Sequence, residues 1–322
     1  MRFLRLLLLL VPLQSASAAD IRTFSKSYPI RAVATVGMIS DVIANIAGSH
    51  VQIDTIIGHG GDPHLYKASP NDVRRLVGAD IVFYNGLFLE GKMADILLSY
   101  NRSKPSIPLG EVLDPTTLFK PQEFEGHYDP HVWMDVKLWS QVATKIKEEL
   151  KRFDPKHALE YEANAQRYQT TLTKLDAYVR STIASIPKEQ RVLITAHDAF
   201  RYFSRAYDIE VRGIQGISTE SEAGLKDINS LVDFLVSRKI SAVFVESSVS
   251  QKNIMALIEG AAARKHSIVI GGELFSDAMG AQGTPNGTYV GMIAHNAESI
   301  ARGLGGQVPE GGFASFASGV AK

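Results

Sequence analysis

The sequence holds nine histidines and no cysteine. An imidazole is a general base, a proton carrier or, when neutral, a metal ligand. Position sorts them. His64 lies in "GHGGDPHLYKAS", a Gly/Pro-rich stretch after the strand-like "VQIDTII". His197 directly follows the strand-like "RVLITA", and Asp277 follows "SIVIGGEL". His131 stands in "YDPHVWMD", a turn before a helix. Three of these four fall at the carboxyl ends of expected parallel strands, where open α/β sheets place ligands. Two come from each half of the chain, so facing lobes would close three imidazoles and one carboxylate around a point. That set suits a borderline divalent ion such as Zn²⁺ or Mn²⁺. A proline precedes both His64 and His131. It stiffens each turn, so less ordering is lost when an ion binds.

The remaining histidines carry no such placement. His59 and His127 stand near candidate ligands but are expected on the solvent side of their loops. His50, His157, His266 and His295 fall on helices, at helix ends or at a strand start, and are expected to be structural. Trp133 and Trp139 are expected in the core or the cleft wall. A zinc hydrolase is the competing chemistry, with Glu220, Glu222 and Glu246 as conceivable bases. It would need an open coordination position, and four protein ligands tend to fill the shell. The sequence has no H-E-x-x-H, no G-x-S-x-G, no P-loop and no G-x-G-x-x-G after a strand.

The elements that must position these residues alternate. From Ile30, strand-like and helix-like segments follow one another to about Tyr100, which favours parallel pairing with helical crossovers. "SPNDVRRLVGA" opens with Ser69 as an N-cap and Pro70 in the first turn, a helix start. Asp135 to Leu150 reads as a helix, "FDP" interrupts, and Pro155 to about Ile186 runs on without Gly or internal Pro. A helix that long exceeds a crossover and suits a rigid connector between lobes. After Pro187 the alternation returns. The expected fold is α/β: two lobes of parallel-type sheet with flanking helices, joined by one long helix. The expected boundaries are an amino-terminal lobe at 28–150, the connector at 151–187, a carboxy-terminal lobe at 188–306 and a flexible Gly/Ser/Ala-rich tail at 307–322.

Composition narrows the function. Lys+Arg and Asp+Glu are both 34, so the formal net charge is zero, with no electrostatic case for nucleic acid or an anionic membrane. Residues 1–19 read as a cleavable export signal: Arg2 and Arg5, the apolar run Leu6–Leu13, then small residues at the end. Cleavage is expected near Ala18 or Ala19. The signal lacks the cysteine a bacterial lipoprotein needs, so a periplasmic protein is expected.

Six stretches carry a resemblance: "GGDPHLYKASPNDVRRLVGADIVFYNGLFLEGKM", "YDPHVWMDV", "AHDAFRYFSRAYDIEV", "GIQGISTESEAGLKDI", "VFVESSV" and "GGELFSDAMG…GTYVGMIAHN". From about residue 30 to about 305 the chain resembles the zinc/manganese (cluster A-I) solute-binding proteins of ABC importers. The resemblance implies two α/β lobes on a long backbone helix and metal ligands at His64, His131, His197 and Asp277. It implies Zn²⁺ or Mn²⁺ as cargo, no organic cofactor, no catalysis, and a monomer that serves a membrane permease with its ATPase. A surface adhesin, a role attributed to some relatives, has no direct support in the residues. Many dedicated zinc receptors carry a His- and acid-rich loop between the first two ligands. This chain has only "FKPQEFEGHYDPH" there and departs from that pattern, while the sequence around "AHDAF", "STESEAGL" and "GGELFSDAMG" is more similar to the manganese or mixed branch.

Overall fold

A computed structural model describes residues 23–319 apart from 102, 103 and 125. The export signal expected at 1–19 lies outside the described residues.

The first lobe is built on one parallel sheet. Strands β1 (Ile30–Val36), β2 (Val51–Ile57), β3 (Ile81–Tyr84) and β4 (Ser106–Pro108) lie in the order β2-β1-β3-β4. Parallel neighbours cannot be joined by a hairpin. The crossovers accordingly carry α1 (Gly37–Ala47), α2 (Pro70–Gly78) and α3 (Ala94–Tyr100). Helix α2 begins as a capping box: Asp72 N–H donates to Ser69 Oγ, and the Ser69 N–H donates to the Asp72 carboxylate. Strand β4 was not anticipated. It is three residues long and ends in Pro108, too short to show alternation, and it pairs with β3 alone, at the sheet edge where Pro is tolerated.

Helix α4 (Val136–Phe153) and helix α5 (Ala158–Ala184) follow. With 27 residues α5 is about 40 Å long. Its buried residues Tyr161, Ala165, Tyr168, Leu172, Leu175, Val179 and Ile183 keep helical spacing along its whole length. It packs on α1 and α4 of the first lobe and on elements of the second.

The second lobe holds β5 (Val192–His197), β6 (Glu210–Gln215), β7 (Ala242–Glu246) and β8 (Val269–Leu274), paired in parallel as β5–β6 and β7–β8 with β5 beside β7. Its helices are α6 (Arg201–Tyr207), α7 (Leu225–Arg238), α8 (Lys252–Ala263) and α9 (Tyr289–Gly303). One hydrophobic cluster runs from Ile30 of β1 through α4 and α5 to Leu304 past α9, so the lobes share a core. A second cluster, including Val243, Leu235 and Leu257, is confined to the second lobe.

The tail differs from the flexible segment expected at 307–322. Gly312–Ser318 forms helix α10. Phe313 and Phe316 lie on one face of it, and their rings pack 5.5 and 5.2 Å from the Tyr178 ring of α5. Two aromatics three residues apart give even a Gly- and Ser-rich helix something to bury.

Candidate metal centre

Each of the four singled-out residues leaves an element at the mouth between the lobes. His64 stands in the loop after β2. His131 precedes the turn Val132–Met134 that leads into α4. His197 is the last residue of β5, and Asp277 follows β8 by three positions. The exit of β5 is tight. A side chain at Gly213 of the neighbouring β6 would collide with the backbone of His197 and Asp198, so only glycine lets the two segments approach.

The two first-lobe histidines are placed by the same device. In Asp62-Pro63-His64 the His64 N–H donates to Asp62 Oδ1 at 2.9 Å. In Asp129-Pro130-His131 the His131 N–H donates to Asp129 Oδ1 at 3.0 Å. Each aspartate closes an Asx turn across a proline whose φ is already set. The two then diverge. Asp129 Oδ1 also meets His131 Nδ1 at 2.8 Å, while Asp62 Oδ2 accepts the Thr219 hydroxyl of the opposite lobe at 2.6 Å. In the second lobe Glu246 grips His197 twice, Oε1 to the backbone N–H at 2.9 Å and Oε2 to Nδ1 at 2.6 Å. A carboxylate on Nδ1 leaves Nε2 as the free lone pair and fixes the ring. Among the described residues none places a carboxylate on the His64 Nδ1 in this way.

The four side chains converge. One potential ligand atom from each of His64, His131, His197 and Asp277 lies within 4.8 Å of every other, and all four residues are buried. His131 Nε2 is 3.3 Å from His64 Nε2 and 3.4 Å from His197 Nε2. Asp277 Oδ1 is 3.3 Å from His131 Nε2, and Oδ2 is 3.2 Å from His197 Nε2 and 3.7 Å from His64 Nε2. Neither oxygen of this carboxylate, itself 1% exposed, has a hydrogen bond. A tetrahedron whose centre lies 2.0–2.2 Å from its corners has edges of about 3.3–3.6 Å. The separations are those of a shell closed around one small cation.

The electrostatics agree. Burial pushes the His64 imidazole down to about 3, so it is neutral and able to ligate. Burial also acts on His131, but the Asp129 and Asp277 carboxylates outweigh it and lift that imidazole to about 9. His197 is raised well above its usual value against burial, by Glu246 and Asp277. Asp277 stays well below the carboxylate range, because His197 and the other imidazoles outweigh the cost of its burial. Without a dication, the negative charge in this pocket holds protons instead.

The other sequence candidates lie outside the cluster. His59 is exposed, its Nδ1 2.9 Å from the Met279 carbonyl across the cleft. His127 is exposed and stacks on Phe88. His50 stacks on His157; His266 and His295 meet the carbonyls of Ile240 and Glu273. Trp133 walls the cleft, its ring 5.3 Å from that of His131 and its Nε1 donating to the Ser276 carbonyl at 2.8 Å. Trp139 is core. Asp62 and Asp129 were missed, although the repeated tripeptide Asp-Pro-His was the signal that marks both.

Comparison with known proteins gives the architecture a family. The sequence profile of the family described as "ZnuA: Zinc-uptake complex component A periplasmic" matches residues 32–303. This chain belongs to that family. It is 47% identical to "Zinc-binding protein TroA" of Treponema pallidum (strain Nichols) over 272 residues, covering 84% of this chain and 88% of that one. It is 45% identical to "Manganese-binding lipoprotein MntA" of Bacillus subtilis (strain 168) over 280 residues, 87% and 91% of the two chains. The solved structure of the periplasmic zinc binding protein TroA from Treponema pallidum superposes with a TM-score of 0.84 at 46% identity, covering 86% of this chain and 99% of that one.

Proposed function

We propose that this chain captures a divalent transition metal, Zn²⁺ or Mn²⁺, between its lobes through His64, His131, His197 and Asp277, and delivers it to an ABC importer. The observation that carries the reading is the Asp277 carboxylate: buried, without a hydrogen bond, and facing three imidazole nitrogens at 3.2–3.7 Å. A carboxylate this buried needs a positive partner, which the neighbouring imidazoles supply by holding protons and a shared cation would supply in their place. The family relatives, named for zinc in one case and manganese in the other, support the cargo class. The export-like residues 1–19 support a periplasmic location, and a permease with its ATPase is the partner the family implies. Among the described residues no helix is long and apolar enough to cross a membrane.

A hydrolytic role is disfavoured by the same geometry. Four protein ligands complete a tetrahedral shell, whereas catalytic zinc keeps a position for water. Of the conceivable bases, Glu246 is engaged on His197, Glu220 on Lys92, and Glu222 is exposed. Imidazole donors and the Irving–Williams order make Zn²⁺ the tighter ion at almost any such site, so cargo depends also on supply. The test is elemental analysis of the protein from its own compartment, with competition between the two ions. His64→Ala and Asp277→Ala are expected to weaken binding at least 100-fold, as loss of a ligand should exceed the ~10–100-fold of an outer-shell change. Unaltered metal stoichiometry in either variant, with the fold intact by circular dichroism, contradicts the assignment.

A further inference from the structure

Beyond the ligands and the carboxylates that hold their rings, the first lobe contains a backbone arrangement that the metal site does not by itself explain. Between β3 and α3, Gly86, Leu87 and Phe88 have φ values of 74°, 53° and 68°. Glycine takes this left-handed region freely, but leucine and phenylalanine do so only where the surroundings over-determine them. The surroundings here are one buried carboxylate. Glu90, 3% exposed, accepts the Thr35 hydroxyl of β1 at 2.6 Å and the Asn85 N–H at 2.8 Å on Oε1, and the Gly86 N–H at 3.1 Å on Oε2. The run is closed from the far side where Gly110 N–H donates to the Asn85 carbonyl at 2.7 Å.

What this holds in place is the Asn85 side chain. Asn85 is fully buried, and its Nδ2 donates to the Gly86 and Pro130 carbonyls, both at 3.1 Å. Pro130 is the middle residue of the Asp129-Pro130-His131 turn. A second tie runs beside it: the Phe88 ring stacks on His127 at 4.1 Å and 8°. The strained run therefore grips the segment carrying His131 at two places.

We propose that Glu90 is a positioning residue for the metal site: it locks the left-handed run so that the Asn85 amide fixes the Pro130 carbonyl and, through that turn, aims His131 Nε2 at the ion. Glu90 reaches the ion only through Asn85 and the turn. The inference rests on the metal-binding reading above.

The full chain is tested for Zn²⁺ affinity by competition with a chromophoric chelator, and for ligand geometry by the visible absorption of bound Co²⁺. Glu90→Gln keeps the side-chain shape but puts an N–H donor against the Gly86 N–H. Asn85→Ala removes the amide and leaves every backbone bond of the run, so it informs even where Glu90→Gln does not fold. Each is expected to weaken Zn²⁺ about tenfold, the lower end for outer-shell partners, and to shift the Co²⁺ bands. The double variant is expected to lose no more than the worse single one, because the two act in series. Unchanged affinity and an unchanged Co²⁺ spectrum, even with a lowered melting temperature, overturn the proposal and leave Glu90 a stability residue. Losses that multiply in the double variant overturn it too. A wild-type chain that binds no Zn²⁺ in this assay sinks the metal-binding reading itself, whereas wild-type binding with unaffected variants sinks only the role of Glu90.

Discussion

His131 illustrates how much of an imidazole's behaviour is set by its neighbours. Its imidazole is lifted to about 9 by the carboxylates of Asp129 and Asp277 against burial. That exceeds the usual histidine value of about 6.5. The metal-free protein gains stability from this proton at pH values below about 6.5 and loses it as pH rises through about 9. An arriving cation must expel the same proton. Apparent Zn²⁺ or Mn²⁺ affinity is thus expected to fall steadily from pH 7.5 to pH 5. Affinity that stays flat across pH 5–7.5 is incompatible with three imidazole ligands. That these four side chains cluster was legible in the sequence, because strand ends in a parallel sheet converge. Their supports were less so. For Glu246 the sequence favours a supporting or surface role over that of a base but does not name its partner, since the contact between residues 197 and 246 depends on β5 lying beside β7. Asn85 and Glu90 left no trace, because left-handed leucine and phenylalanine have no sequence signature.

Elements explain how the centre is shut. The segment between β6 and α7 crosses the cleft as a strap: Thr219 donates to Asp62, and Glu220 pairs with Lys92 at 2.6 Å. These contacts are unequal. Lys92 and Glu220 are both about two-fifths exposed, and exposed pairs contribute about 0–1 kcal/mol. The Thr219 bond ends on a half-buried carboxylate that also orders His64, and hydrogen bonds to charged groups are worth about 1.5–3 kcal/mol. Thr219→Val is expected to speed chelator-driven metal release about tenfold, and Lys92→Ala by less than about fivefold. Stopped-flow release rates equal to wild type for Thr219→Val contradict the strap. Most elements were legible beforehand, the capped start of α2 and the helical run of α5 most clearly. The exceptions have physical reasons. Strand β4 is too short for a pattern, and α10 forms because Tyr178 of α5 offers its rings a surface that local propensity cannot foresee.

The molecule as a whole has a joint core. The same hydrophobic cluster includes Val33 of β1, Trp139 of α4, Leu172 of α5, Phe203 of α6 and Ile293 of α9. Separating the lobes would expose it, so they are expected to unfold together. Calorimetry of the metal-free chain should show one transition, raised in temperature by a bound ion. Two resolved transitions contradict a joint core. The two-lobe plan was visible in the alternation of strands and helices. The shared interior was not, because apolar periodicity says which face of a helix is buried and not which neighbour buries it.

Trp133 lies on the seam. Its indole leans against His131, and its N–H reaches the carbonyl of Ser276, immediately before Asp277. The other indole, Trp139, is sealed in the interior. One chromophore thus touches His131 on one side and the residue before Asp277 on the other, while its companion is remote from the cleft, so intrinsic emission is expected to change as the site fills, without a label.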